Sequence, residues 1–505
     1  MKRHSIKIIL LSLLFFMSFL FYRLINWMRV TFAGVTLEKI VFELRVPLEG
    51  TSKSTIWSAI SYCVCPALGL TLLLAVLLLL CDRARKKRFL NVRFGSGFSK
   101  AVKVWPLPYT KAASLLLSLT FLSVGILQAN RNFELFGYID AQVIMSPFIE
   151  DNYIGPEKAN LTFPDKKRNL IYIYLESMES TYADTASGGA FPENYIPELT
   201  DLASQYINFS NTDRLGGALP VSGTQWTMGA MFATSTGLPI NLPLVGGSIA
   251  QQFFPGATGI GTILENNGYH NVLFIGSDAT FGGRRLFFTQ HGNYEICDYD
   301  DAKAKGLIPE DYYVWWGYED EKLFSFAKDK LTELGKSSQP FNFTMLTADT
   351  HEFAGYVCRL CGDRFGTQYA NVIACSSKQV FDFVRWIQRQ NFYKNTTIVI
   401  TGDHLTMDST LTAGVPPEKR SVYNCFINAA PAISREKTKN RQFSALDLFP
   451  TVLAGLGVRI EGDQLGLGVN LFSGKQTLYE KYGPDLSREL SLKSAFYNRT
   501  FIHAK

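Results

Sequence analysis

Long apolar runs dominate the first 130 positions, and a different rhythm follows. "SIKIILLSLLFFMSFLFYRLI" (Ser5 to Ile25) carries only Lys7 and Arg23, near its two ends. "IWSAISYCVCPALGLTLLLAVLLLLC" (Ile56 to Cys81) has no charge, and neither has "AASLLLSLTFLSVGILQA" (Ala112 to Ala129). Each is long enough to cross a bilayer as a helix. The first lacks a small-residue cleavage site and reads as an uncleaved anchor. Beyond residue 165, short apolar strands alternate with helical patterns. "NLIYIYLE" (169–176), "INFSN" (207–211), "NVLFIG" (271–276), "FNFTMLTAD" (341–349) and "TTIVITGD" (396–403) read as strands. "SKQVFDFVRWIQRQ" (377–390) repeats its apolar residues at helical spacing. The alternation predicts an α/β domain whose central sheet is mostly parallel and covered on both faces. The expected organisation is a membrane domain at 1–130 with about three transmembrane helices, a linker at 131–168 and an α/β domain at 169–505.

Charge orients this arrangement. The net charge of +6 is mild, and the basic residues are unevenly spread. Arg83, Arg85, Lys86, Lys87, Arg88, Arg93, Lys100, Lys103 and Lys111 crowd between the second and third spans, and the first interspan loop has fewer. Cytoplasmic loops carry such an excess, so everything after about residue 130 is expected outside the cytoplasm. The basic run lies between two membrane spans, which argues against a nucleic-acid patch.

Cysteines follow the same division. Cys63, Cys65 and Cys81 fall in or beside the second span, and Cys297, Cys358, Cys361, Cys375 and Cys425 fall in the external domain. Cys358 and Cys361 form a CxxC with no second pair to complete a zinc ribbon. In an oxidising compartment, a disulfide closing a short loop is the expectation, Cys361 with Cys375, with the partner of Cys358 open.

Chemistry gathers at the strand ends, where α/β folds bind their ligands. "YIYLESMEST" delivers Glu176, "LTADTHEF" delivers Asp349 and His351, and "VITGDH" delivers Asp403 and His404. A carboxylate after a strand is often only a helix cap. Several strand ends with oxygen and imidazole donors suit a divalent ion. A nucleophile belongs at a helix N-terminus, where free amides receive an anion. "GGALPVSGTQWTMGAMFATSTGLP" (216–239) offers one, with Thr224 at the joint and Ser222 and Thr227 as competitors. Taken alone, Thr224 reads as an N-cap.

Taken together, Glu176 in "YLESMES", Thr224 in "SGTQWTMGAM", His351 in "DTHEF" and "GDH" at 402–404 resemble the lipoteichoic acid synthase and phosphoglycerol transferase I family. This is a sulfatase-like branch of the alkaline phosphatase superfamily. The resemblance runs from about Asn169 to about Ser473 and includes "ALDLFPTVLAGLG" and "LGLGVNLF". It is closer to the glucan-modifying phosphoglycerol transferases than to the Gram-positive polymerases. Ser277 and Gly282 stand where those polymerases have Asp and Trp.

The resemblance implies an alkaline-phosphatase-like sandwich holding one divalent ion, Mn or Mg, with Zn as an alternative. The implied ligands are Glu176, Thr224, Asp403 and His404. It implies Thr224 as nucleophile, His351 as a phosphate or substrate contact, and Arg284 in "FIGSDATFGGRR" as a contact to the phosphoglycerol head. The implied reaction moves glycerophosphate from phosphatidylglycerol to a glycan or polyglycerolphosphate acceptor through a phospho-threonine. The implied location is a bacterial inner or cytoplasmic membrane, multi-pass, with the catalytic domain extracytoplasmic. A phosphoethanolamine transferase of the same superfamily and a non-catalytic membrane glycan-binding protein are the alternatives. A true sulfatase is disfavoured, because residues 222–230 hold no C/S-x-P-x-R motif.

Overall fold

The structure is a computed structural model that describes residues 2–32, 35–46, 53–87, 90–92, 102–104, 107–244, 249–351 and 353–504. Arg88, Arg93 and Lys100 of the basic loop lie outside the described residues.

The chain divides into two compact units, Met1–Leu37 with Thr51–Gly137, and Glu38–Gly50 with Tyr138–Lys505. Among the described residues of the first unit, three helices are long and apolar enough to cross a membrane: Ser5–Thr31, Thr55–Arg85 and Thr110–Phe133. They belong to α1 (Lys2–Thr31), a second span that ends in α3 (Cys65–Lys87), and α4 (Thr110–Phe133). Phe19 of α1 meets Phe121 of α4 edge-on at 4.7 Å, and Asn26 donates to Gln128 at 2.9 Å. Between the first two spans, α2 (Leu37–Glu43) begins a segment that folds with the second unit from Glu38 onward.

The second unit is built on a seven-stranded sheet. Its strands are β1 (Asn169–Leu175), β2 (Gly217–Ala218), β3 (His270–Ile275), β4 (Glu295–Cys297), β5 (Phe341–Leu346), β6 (Thr396–Gly402) and β7 (Val422–Ile427). The order is β2-β7-β6-β1-β5-β3-β4. The five strands from β6 to β4 are parallel; β7 pairs antiparallel with β6, and β2 pairs antiparallel with β7.

All seven residues of β1 are buried, because alternate side chains enter two different cores. Leu170, Tyr172 and Tyr174 join one core with Met231 and Phe232 of α5 (Thr227–Thr236) and Phe449 and Val452 of a helix at Ala445–Gly455. Ile171, Ile173 and Leu175 join the other with Leu323 and Ala327 of α6 (Asp320–Leu334) and Ile373, Val380 and Phe383 of α7 (Gln368–Ile387). The α/β class and the parallel sheet are therefore as expected.

Four expectations change. Residues 207–211 form no strand; Ile207 makes a single bridge to Phe426. Strands β2, β4 and β7 were not anticipated. The helix expected at 377–390 begins at Gln368, where the Thr367 hydroxyl caps the Ala370 N–H at 3.3 Å. Residues 131–168, read as a linker, are folded: they hold helices at Leu135–Val143 and Phe148–Asn152, and Phe148, Ile149 and Ala159 are buried in the first core.

Candidate active site

Register brings the two acidic strand ends together. β1 and β6 run parallel with Leu175 opposite Gly402, so the next residues, Glu176 and Asp403, leave the sheet side by side. The Asp403 N–H donates to the Leu175 carbonyl at 3.1 Å. Gly402 is required for this approach. A Cβ there would stand 2.0 Å from the carbonyl oxygen of Met178, in the turn that follows Glu176. Ser177 in that turn has φ +53°, a left-handed conformation unfavourable for serine. This aims its N–H at Asp403 Oδ1, 2.7 Å away. The His404 N–H donates to the same oxygen at 2.8 Å.

The remaining atoms converge. His404 Nδ1 lies 2.8 Å from the Leu405 carbonyl, which fixes Nδ1 as the protonated nitrogen and leaves Nε2 as an acceptor. Nε2 sits 3.5 Å from Glu176 Oε1 and 3.4 Å from Asp403 Oδ2. The Thr227 hydroxyl completes the group, 3.2 Å from Glu176 Oε2 and 3.4 Å from His404 Nε2. Glu176 is held from behind by the loop after β5. Its N–H donates to Thr347 Oγ1 at 3.1 Å, and its carbonyl accepts from Thr350 Oγ1 at 2.6 Å.

The donor set fits a divalent cation. One donor atom each from Glu176, Asp403 and His404 lies within 4.8 Å of the others, and all three residues are buried. Asp403 Oδ2 is buried without a hydrogen bond. Burial, and then the neighbouring Glu176, push the Asp403 carboxyl well above its usual range; the N–H groups of Ser177 and His404 oppose this. Burial also raises Glu176, but His351 and His404, together with hydrogen bonds from Ser177 and Asp403, more than offset it and leave that carboxyl below its usual value. Two adjacent buried carboxylates both ionise only with a compensating cation between them.

Thr224 is not part of this cluster, which corrects the expectation drawn from the resemblance. Its hydroxyl donates to the Val221 carbonyl at 2.9 Å and its N–H points to the same oxygen at 3.2 Å, closing a tight turn in which Gly223 has φ +78°. The helix begins three residues later than its apolar pattern suggested. Trp226 is extended at the N-cap, and Thr227 is the first helical residue of α5. The free amides of that first turn therefore surround Thr227 rather than Thr224. Gly229 permits this start, since a Cβ there would lie 2.8 Å from the Gly223 carbonyl and 3.0 Å from the Trp226 ring.

An open cleft adjoins Glu176 and Thr227, and Ser277, Arg284, Trp316 and His351 also line it. Arg284 is 6% exposed, with its Nη2 3.2 Å from the Asp278 carbonyl and its Nε without a hydrogen bond. His351 packs against Trp316 with ring centroids 4.7 Å apart. Trp316 was not anticipated; the pair "WW" at 315–316 in a loop was its only signal. Asp349 does not join the site. It exchanges N–H bonds with Asp320, and burial and that second carboxyl push it up to about 10.

The interspan segment forms part of the surroundings. Phe42 is fully buried, 5.6 Å from the Trp226 ring and 6.1 Å from Phe253. Glu38 accepts a hydrogen bond from Ser222. Desolvation raises the Glu43 carboxyl, against the pull of Lys39 and Arg284.

The cysteines depart from expectation as well. Cys361 and Cys375 form no disulfide, and all eight cysteines are thiols. The Cys358 sulfur stands beside both, 3.6 Å from Cys361 and 3.7 Å from Cys375.

The family model described as Sulfatase matches residues 168–458, more than half of the chain. The chain thus belongs to the sulfatase family, within the alkaline phosphatase superfamily. Among curated relatives, phosphoglycerol transferase I of Shigella flexneri is 33% identical over 333 residues, which cover 64% of this chain and 41% of that protein. The chain spans about two fifths of the length of the curated relatives it matches. Among solved structures, the integral membrane protein lipooligosaccharide phosphoethanolamine transferase A from Neisseria meningitidis aligns with a TM-score of 0.50 at 13% identity. That alignment covers 89% of this chain and 84% of that one, and it speaks to the fold alone. The lipoteichoic acid synthase LtaP from Listeria monocytogenes aligns with a TM-score of 0.49 at 19% identity, covering 65% and 82% of the two chains.

Proposed function

We propose that this protein is a membrane-bound phosphoglycerol transferase that uses Thr227 as its nucleophile. The observation that carries the reading is the meeting of the Thr227 hydroxyl with Glu176, His404 and Asp403 at one end of a parallel sheet. In this reading Glu176, Asp403, His404 and Thr227 hold a divalent ion, Mn or Mg, with Zn as the alternative. When bound, that ion neutralises charge on the phosphodiester and favours the ionised hydroxyl.

The residues of the chain then divide the work. Thr227 Oγ attacks the phosphorus of a phosphatidylglycerol head group, and the bond to the lipid oxygen breaks. Diacylglycerol leaves with the proton that Thr227 gave up, and glycerophosphate remains on Thr227. An acceptor hydroxyl, from a glycan or a polyglycerolphosphate chain, displaces it and restores the threonine. Arg284 and His351 face the same cleft and place positive charge and hydrogen-bond donors where the phosphate and glycerol would lie.

The three apolar helices hold this domain near its lipid donor at the inner membrane. We place the catalytic unit outside the cytoplasm. The excess of basic residues between the second and third spans supports this, because such a loop stays in the cytoplasm and the chain crosses once more before the domain.

The test is a rapid quench of the full-length protein in vesicles of phosphatidylglycerol, followed by peptide mass spectrometry. A glycerophosphate adduct on the peptide containing Thr227 is expected, with none from vesicles of phosphatidylethanolamine alone. A phosphoethanolamine adduct in its place would shift the donor; no adduct with diacylglycerol still released would remove the covalent mechanism.

A further inference from the structure

The three thiols beside the loop of His351 are built into a site of their own. Cys358 and Cys361 lie in the segment that follows β5, and Cys375 lies in the third turn of α7. Their sulfurs fall within 4.8 Å of one another. Cys358 is the hub, at 3.6 Å and 3.7 Å from its neighbours. A disulfide needs sulfurs at about 2.05 Å and would leave the third thiol stranded. Two thiolates on one tetrahedral ion at about 2.3 Å stand about 3.8 Å apart. The observed spacing matches the second arrangement.

The surroundings point the same way. Cys358-Arg359-Leu360-Cys361-Gly362 is a knuckle: the Cys361 N–H turns back to the Cys358 carbonyl at 3.1 Å. From α7, the Gln379 amide donates to the Cys375 sulfur at 3.4 Å and approaches the Cys358 sulfur at 3.9 Å. These are N–H donors aimed at sulfur, which favour thiolates. Cys358 and Cys375 are buried, and Cys361 is half-exposed, so the fourth vertex faces the Cys361 side.

We propose that Cys358, Cys361 and Cys375 bind a zinc ion as a tris-thiolate, with water at the fourth position. Binding releases the three thiol protons and changes no oxidation state. The ion ties the segment that carries His351 to α7. The tie reinforces a close approach already present, since a Cβ on Gly355 would lie 2.7 Å from the Val372 side chain of that helix.

The experiment uses full-length protein in detergent, isolated without added metal or reductant and analysed by elemental mass spectrometry. Asp403→Asn weakens the site at the strand ends, so zinc that remains in it reports on the cysteines. That variant is expected to keep a single zinc, and Asp403→Asn combined with Cys375→Ser to lose it. An organomercurial thiol reagent should release the zinc from the unmutated protein as the thiols react, which needs no folded variant. Cobalt in place of zinc should show thiolate charge-transfer absorption. A disulfide among the three in zinc-free protein, copper or iron in place of zinc, or zinc unaffected by the organomercurial would overturn the proposal.

Discussion

Replacing Thr227 and Thr224 separately by alanine distinguishes the two readings of "SGTQWTMGAM". Thr224→Ala deletes two hydrogen bonds within one turn, from its hydroxyl to the Val221 carbonyl at 2.9 Å and from the Val221 N–H to its oxygen at 3.4 Å. The turn keeps its backbone bond from the Thr224 N–H, so the expected cost is about 1 kcal/mol of stability. Transfer activity should stay within several-fold of the unmutated protein. Thr227→Ala deletes the hydroxyl that lies 3.2 Å from Glu176 and 3.4 Å from His404. Its effect on stability should be similarly small, about 1–2 kcal/mol. Its effect on transfer should be about 10⁴–10⁶-fold, the scale seen when a nucleophile is removed. Thr227→Ser keeps an oxygen at the position and should recover part of the loss. The assay is diacylglycerol release from phosphatidylglycerol vesicles, with thermal unfolding measured on the same preparations. If Thr227→Ala retained activity within about tenfold while Thr224→Ala abolished it, the geometry would have misidentified the attacking group.

Gly402→Ala should abolish transfer and destabilise the protein by about 1–3 kcal/mol or more, since the new methyl meets the Met178 carbonyl; a denaturant midpoint and the vesicle assay measure both. Phe42→Ala should cost about 3–5 kcal/mol by the same denaturation, because that ring is fully buried against Trp226 and Phe253. Asp403→Asn should lower divalent-ion affinity by at least about tenfold, read by the manganese concentration that restores activity after chelation. His291 sets a pH dependence. Burial lowers its imidazole, against the carbonyls of Phe253 and Ala257, so the unfolded chain takes up the proton first. Stability should fall as pH drops through about 6.5 and level off below the folded value, and His291→Gln should flatten that slope in urea titrations.

Much of this protein is written locally. A strand buried on both faces shows a short β-branched and aromatic run without polar alternation, so "NLIYIYL" and "TTIVITG" declare themselves without any partner. Apolar runs of bilayer length declare the three spans in the same way. Glu176, Asp403 and His404 were legible because they end such strands, and parallel neighbours place their ends together. Contacts distant in sequence decided the rest. Thr224 and Thr227 are equivalent in a linear pattern; the turn onto Val221 and the extended Trp226 determine which one faces the carboxylates. Residues 38–46 carry no signal for a domain that begins more than a hundred residues later, yet Phe42 is buried in its core. The sequence suggested Cys375 for Cys361 and left Cys358 open; α7 brings Cys375 beside Cys358. Periodicity records whether a residue is buried, because burial depends on the face of its own element. It does not record against what, because that depends on how separate elements pack.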